Sequence, residues 1–194
     1  MKQLGNEPAH GFVDEPANGR ENGPADGPLA EPADRTVDGP WDAPAGHSAE
    51  LISAVGLCPG VGSGRLLKLD EPLSLWGGTD LHTGIITDVH HPQHGTAIAG
   101  RVLLMSASRG SSSSSSVLAE QIRAGVGPAG LVLCARDAIL ALGSLVAAEL
   151  YGIRMPIVLI DEAVARLLPD NSLVTVSAAA GAATASISIK GGPS

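Results

Sequence analysis

From about Leu51 onward the chain is a succession of short apolar runs set between turn residues; before that point large apolar side chains are sparse. Residues 65–69 read as a short strand ahead of the Asp70-Glu71-Pro72 turn. Residues 73–76 form a second apolar run, closed by the turn-rich Gly77-Gly78-Thr79-Asp80. Residues 84–87, with Ile85 and Ile86, read as a strand, and residues 101–106 as a better one, apolar enough to be covered on both faces. Then come Ala107-Ser108-Arg109-Gly110, six serines, and a segment in which Leu118 and Ile122 share one helix face. That helix is expected to start directly after the serines and to stop at Gly125, with Pro128 beyond it. Residues 131–135 are the next strand. Asp137 caps a helix running to Tyr151, and Gly152 ends it. Residues 156–160 form a further buried strand, residues 163–168 a short helix, and residues 172–177 and 184–189 two alternating strands.

Strand–helix–strand units in the middle of this order imply a parallel core, and strands without helices at either end imply a second, barrel-like layer. The expected fold is a compact α/β domain of about 145 residues, a size that supports one core. We place it at residues 47–194. Residues 1–46 are a different polymer: nine acids stand against three bases, which gives that segment −6 of the net −8. Pro8, Pro16, Pro24, Pro32 and Pro40 recur every eight residues, the first four followed by Ala. So few apolar groups do not offset the entropy of ordering, and the segment reads as a disordered tail, suited to a tether or docking arm.

Charge and composition remove several function classes. A net charge of −8 and only four aromatics, Phe12, Trp41, Trp76 and Tyr151, argue against nucleic-acid binding by counterion release or base stacking. The first ten residues hold no apolar run, and the uncharged stretch 171–189 is too weakly hydrophobic to span a membrane. Cys58 and Cys134 form neither a disulfide framework nor a metal knuckle, which fits a cytoplasmic setting; each reads as a small buried hydrophobe.

The serine run is the candidate for chemistry. It lies inside a strand–turn–helix unit, where an interdomain linker does not belong. A Gly-Ser turn opening a helix presents unpaired amides and hydroxyls to one point and attracts anions. Arg109 adds a guanidinium able to grip a carboxylate or phosphate with two parallel bonds. His82, His90, His91 and His94, with Asp80 and Asp88, form a second cluster; it reads as a solvated polar loop, with a metal site as the alternative.

Several motifs at consistent spacing carry a family resemblance. Leu73-Ser74-Leu75-Trp76-Gly77-Gly78-Thr79-Asp80 resembles the glycine-glycine-x-aspartate segment of the aconitase X swivel domain. The likeness continues through Gly84-Ile85-Ile86-Thr87-Asp88, His91-Pro92 and Gly100-Arg101-Val102-Leu103. It is strongest at Ser108-Arg109-Gly110-Ser111-Ser112 leading into Val117-Leu118, and ends at Ala147-Ala148-Glu149-Leu150-Tyr151-Gly152-Ile153 and Pro156-Ile157-Val158. The resemblance implies a swivelling β/β/α domain, like the small subunits of aconitase and isopropylmalate isomerase. It implies a heterodimeric hydro-lyase in which a large subunit carries an iron or iron–sulfur centre and this chain binds none. The substrate is then a small hydroxy acid: cis-3-hydroxy-L-proline first, mevalonate 5-phosphate second. The family's serine base falls on Ser111, with Ser112 as the alternative register, because Ser113–Ser116 extend the run where relatives carry glycine or threonine. Arg109, Gly110 and Ser112 become stabilisers of a carboxylate or alkoxide. Gly77, Gly78, Thr79 and Asp80 become a second loop facing the cleft, with a turn role for Asp80 equally open.

The residues agree with this in one respect. Dehydration needs a base for the C–H proton and a Lewis acid for the leaving hydroxyl; the chain offers a base and no cysteine cluster, so the metal must come from a partner. Two other readings stay open: a non-catalytic anion-binding or scaffold domain on a tether, and a stand-alone metal-dependent hydrolase using the histidines.

Overall fold

A computed structural model of the chain describes residues 50–181 and 183–190; the segment read as a tail, residues 1–46, and its boundary with the domain lie outside them. The strands are β1 (Glu50–Cys58), β2 (Gly60–Lys68), β3 (Val102–Met105), β4 (Gly130–Leu133), β5 (Ile157–Leu159), β6 (Leu173–Ala178) and β7 (Thr184–Lys190). The helices are α1 (Leu75–Gly78, one irregular turn), α2 (Ser113–Arg123), α3 (Ala138–Tyr151) and α4 (Glu162–Leu167). The strands close into a barrel in the order β1-β5-β4-β3-β2-β6-β7. β2, β3, β4 and β5 are parallel, as the strand–helix units require. β1 is antiparallel to β5 and β7, and β6 is antiparallel to β2 and β7. At one rim, where the parallel strands finish, β1 begins and β7 ends, with Glu50 paired to Ile189.

The middle strands are buried on both faces because each serves two cores. Val102 and Leu104 of β3 point into the barrel with Leu66, Val132, Val158, Val174, Val176 and Ile187. Leu103 and Met105 point outward beneath Leu118 and Ile122 of α2 and Leu140 of α3. Each such side chain contributes about 1.5–3 kcal/mol when fully buried, so the two-sided strands are the stiff centre from which the loops project. α3 begins and ends as read, with Asp137 accepting from the amides of Ile139 and Leu140 and Gly152 in the left-handed region at its end.

Three expectations need correction. β1 was not anticipated, nor the first half of β2. In β1 two large apolar side chains, Leu51 (69% exposed) and Val55 (42%), face outward, while Ile52, Ala54, Gly56 and Leu57 are half-buried and Cys58 is buried. In β2, Gly62 faces the Ala129 carbonyl so closely that no Cβ fits. Apolar residues thus fall on both faces of β1, and glycines leave the first half of β2 without an apolar pattern. Residues 84–87 are not a strand of the sheet. They belong to the long excursion between β2 and β3, where only the isolated bridges Thr79–Ile86 and Ile85–Ala97 form. Ile86 exchanges its backbone bonds with Thr96 and Gly95 of the same excursion, which leaves no barrel strand to pair with. Finally, α2 does not wait for the serines to end: Ser113–Ser116 are its first turn, steadied by the buried Ser114 and by the Ser115 hydroxyl donating to the Ser112 carbonyl (2.7 Å).

Candidate active site

Because β3 and β4 are parallel neighbours, the segments leaving them run side by side at the same rim, and α2 and α3 both start there. Ser108, just past β3, donates its amide (3.1 Å) and its hydroxyl to Asp137 Oδ2. The other oxygen, Oδ1, accepts from the amides of Ile139 and Leu140 at 3.0 Å each. Burial pushes the Asp137 carboxyl upward, but the bonds from the Ser108 hydroxyl and from the Leu140, Ser108 and Ile139 amides outweigh it and hold the group below the ordinary carboxylate value.

Arg109 comes next. Its amide donates to the Leu73 carbonyl (3.2 Å), and its guanidinium lies 2.9 Å from Asp88 Oδ2. Asp88 is the steadier partner: its side chain is 19% exposed against 55% for Arg109, and its Oδ1 accepts from the His90 amide at 2.9 Å. That amide bond is the main cause holding the Asp88 carboxyl low; Arg109 adds to it against the opposing effect of burial. Gly110 has φ +139° and lies against Ser74, whose hydroxyl donates to the Trp76 carbonyl at 2.8 Å. The Trp76 amide in turn donates to Ser114 Oγ at 3.3 Å. These contacts seat the serine loop directly on α1.

Ser111 and Ser112 are exposed. Their carbonyls accept from the Ser114 and Ser115 amides at 3.0 and 3.1 Å. Among the described residues, their own hydroxyls and amides, and the amide of Ser113, meet no protein partner. Three backbone donors and two hydroxyls on consecutive exposed residues at a helix start are therefore left without a partner among the described residues, and such a start favours an anion or an alkoxide.

The second loop sits beside this one, but its polar groups are largely committed inward. Gly78 is buried. Thr79 is buried, donates to the Leu75 carbonyl (2.8 Å) and accepts from Gln121 Nε2 (2.9 Å); Gln121 also donates to the Asp80 carbonyl at 3.1 Å. Asp80 Oδ1 accepts from the Thr83 hydroxyl and amide, both 2.7 Å, and from the His82 amide at 3.0 Å; the Thr83 hydroxyl is the chief reason its carboxyl is lowered. Asp80 thus closes a turn, and Gly77 is the exposed member of the four.

The histidines do not converge. His91 is buried with Nδ1 accepting from the Gln93 amide, which directs its Nε2–H to the Glu71 carbonyl at 3.1 Å. His94 donates through Nδ1 to the Asp88 carbonyl at 3.2 Å. Among the described residues, no three His, Cys, Asp or Glu side chains come together as ligands. Cys58 is buried and Cys134 half-buried, and burial raises both thiols.

Sequence reasoning missed three parts of this site: Asp88 as the partner of Arg109, Asp137 as the anchor of Ser108, and Gln121 as the anchor of the second loop. Asp137 had a signal, but only as a cap. The other two pairings depend on segments brought together by the β2–β3 excursion, for which no local pattern exists. Pockets of about 270 to 370 Å³ elsewhere on the barrel are not lined by Arg109, Gly110, Ser111 or Ser112. The serine loop is open to solvent at Ser111 and Ser112.

A family model described as the aconitase X swivel domain matches residues 51–185. The cis-3-hydroxy-L-proline dehydratase of Pseudomonas aeruginosa is 44% identical over 114 residues, which is 59% of this chain and 20% of that protein. The phosphomevalonate dehydratase small subunit of Pyrococcus furiosus is 36% identical over 92 residues, covering 47% of this chain and 69% of the relative. Among solved structures, aconitase X of Thermococcus kodakaraensis in its holo-form superposes with a TM-score of 0.61 at 25% identity, over 72% of this chain and 99% of the matched one. The chain spans only 20% of the Pseudomonas aeruginosa protein and 17% of a cis-3-hydroxy-L-proline dehydratase of Hypocrea jecorina. The swivel fold expected from the motifs is the fold observed.

Proposed function

Since the chain belongs to the aconitase X swivel-domain family, we propose that it is the small subunit of a cytoplasmic hydro-lyase that dehydrates cis-3-hydroxy-L-proline together with a large subunit. The observation that carries this reading is the open loop Arg109–Ser112, where two unbonded hydroxyls and three unpartnered amides stand beside a guanidinium at the start of α2. The 44% identity to a cis-3-hydroxy-L-proline dehydratase supports the substrate. Mevalonate 5-phosphate is the second candidate, favoured by the match to a small subunit of a phosphomevalonate dehydratase.

Ser111 accepts the proton from the carbon next to the substrate carboxylate. A serine hydroxyl is a poor base until its alkoxide is stabilised, and the free amides and positive end of α2 supply that stabilisation. Arg109 grips the carboxylate, with Asp88 fixing one side of the guanidinium and leaving the remaining donors for substrate. Gly110 permits the close approach of this loop to Ser74 at the start of α1, and the reading assigns the exposed Gly77 of α1 to the same opening. The residues described here offer no ligand set for iron, so the reading assigns an iron or iron–sulfur centre to the large subunit, where it supplies the Lewis acid for the departing hydroxyl. A closed, dry site likewise requires the partner, because the loop lies open here.

The test is co-expression with a large-subunit chain, followed by dehydration assays on both substrates. Turnover of cis-3-hydroxy-L-proline only when both chains are present supports the reading. Turnover of mevalonate 5-phosphate alone moves the substrate. A stable complex inactive on both substrates, or no complex at all, refutes it in favour of a binding domain.

A further inference from the structure

We propose that Asp137 is a positioning residue for the serine loop: one carboxylate oxygen starts α3 while the other holds Ser108, so a helix terminus and the reactive segment are set by a single group. The inference rests on Ser111 being the proton acceptor. Ser111 and Ser112 make no side-chain or amide bonds of their own to the described residues, so their placement depends on the fixed points either side. Downstream the point is Ser114, buried and bonded to the Trp76 amide. Upstream it is Ser108, which gives both of its donors to Asp137 Oδ2.

Asp137 is a stiff post for that purpose. It stands at the head of an α3 that is itself fixed: Gly143 lies against the Ser115 carbonyl with no room for a Cβ, and the Ser144 hydroxyl donates to the Met155 carbonyl at 2.7 Å. A charged acceptor makes shorter and stronger bonds than a neutral one, and all four donors on Asp137 point to the ionised form. The sequence after β3 has two other early ties: the Ser106 carbonyl accepts from the Cys134 and Ala135 amides at 3.2 and 2.9 Å, and the Arg109 amide donates to the Leu73 carbonyl. The first ends at Ser106 and the second belongs to the excursion between β2 and β3. Beyond Ser106, Asp137 is what couples the loop to the parallel-sheet side, where α2 and α3 are built.

One substitution separates the two duties. Asp137→Asn keeps an oxygen for the α3 amides, and Asn caps helices as well as Asp does. It places an NH2 donor where the Ser108 amide needs an acceptor, so the cap survives and the clamp breaks. The experiment has two readouts on the full chain. The first is residue-resolved hydrogen exchange by NMR of the wild type, Asp137→Asn and Ser108→Ala. The expected result is exchange faster by about tenfold at Arg109 and Ser114, whose amides bond the Leu73 and Ser111 carbonyls on either side of the loop, with Ile139 and Leu140 unchanged. The second is steady-state kinetics of the complex with the large subunit. The expected result there is a kcat lower by about ten- to a hundredfold with KM within about twofold, as small displacements of a reacting group produce. Loss of protection confined to Ser108, with Arg109 and Ser114 unchanged, overturns the proposal; so does a loosened loop with full kcat. Should Asp137→Asn fail to fold, Ser108→Ala, which leaves the cap untouched, decides by the same readouts. If the wild-type complex turns over neither substrate, the dehydratase reading fails, and the exchange data alone decide whether Asp137 sets the loop.

Discussion

Replacing Gly110 with Ala puts a side chain where the backbone and a neighbour both forbid one. Gly110 has φ +139°, a conformation L residues rarely adopt, and holding a non-glycine residue in such a region costs about 1–3 kcal/mol. The new Cβ would collide with Ser74 Oγ and stand 3.1 Å from Ser74 Cβ. Rotating the Ser74 hydroxyl away gives up its bond to the Trp76 carbonyl, worth about 0.5–1.5 kcal/mol. The remaining carbon–carbon contact is tight enough to shift α1 slightly. The expected destabilisation is about 2–4 kcal/mol, a large share of the roughly 5–15 kcal/mol that holds a domain folded. Urea unfolding followed by far-UV circular dichroism measures it. Repeating the substitution in a Ser74→Gly background removes the collision and leaves the φ strain, so a double-mutant cycle should recover about 1 kcal/mol or more as coupling. A Gly110→Ala variant within about 0.5 kcal/mol of wild type would refute both the backbone conformation and the close seating of the loop on α1. No coupling with Ser74 would refute the seating alone.

Other outcomes follow from the same geometry. Ser111→Ala, an exposed substitution, should leave the unfolding midpoint unchanged and lower kcat of the complex by about 10²–10⁴-fold, the usual range for a lost general base; full turnover removes the assignment. Arg109→Lys keeps the charge but loses the planar fork, so KM should rise by about tenfold or more with little change in stability; an unchanged KM would mean that the carboxylate is held elsewhere. The carboxyls of Asp80, Asp88 and Asp137 are all lowered in the folded chain. Depressed values mean that their stabilisation is fully present above the unfolded carboxylate pKa, about 3.9, and is lost as pH falls through the folded values. A stability–pH curve should therefore be level near neutrality and fall below about pH 4. Asp137→Asn should flatten part of that fall, and an unaltered acid limb would contradict the hydrogen bonding drawn for Asp137.

The centre of the fold was legible because its signals are local and redundant. Residues 102–105, 130–133 and 157–159 are short, apolar and bounded by turns, and Asp137 and Gly152 mark the ends of α3 with their own chemistry. Of the antiparallel strands, β6 and β7 were legible from their alternation, but β1 was not, because the barrel fills its interior there with Ile52, Ala54 and Gly56 while Leu51 and Val55 face out. In the site, the motif around Arg109 and Ser111 located the loop in the chain. What surrounds it was hidden: Asp88 is 21 residues from Arg109, and Asp137 is 29 from Ser108. Nothing local distinguishes Asp88 from an aspartate that closes a turn, and the local signal at Asp137 was that of a helix cap, not of a tie to Ser108.

The pairing of Glu50 with Ile189 has a consequence for how such a domain is joined to others. The start of β1 and the end of β7 meet at the rim where β3 ends and the serine loop begins, so segments joined directly before β1 and after β7 leave the barrel at that rim. A partner on a short tether is held there at an effective concentration in roughly the millimolar range. Covalent fusion before β1, fusion after β7 and plain association then differ in local concentration and not in the face presented. A fusion or fission at this rim would alter the local concentration of a partner without changing which rim of the barrel the joined segments leave.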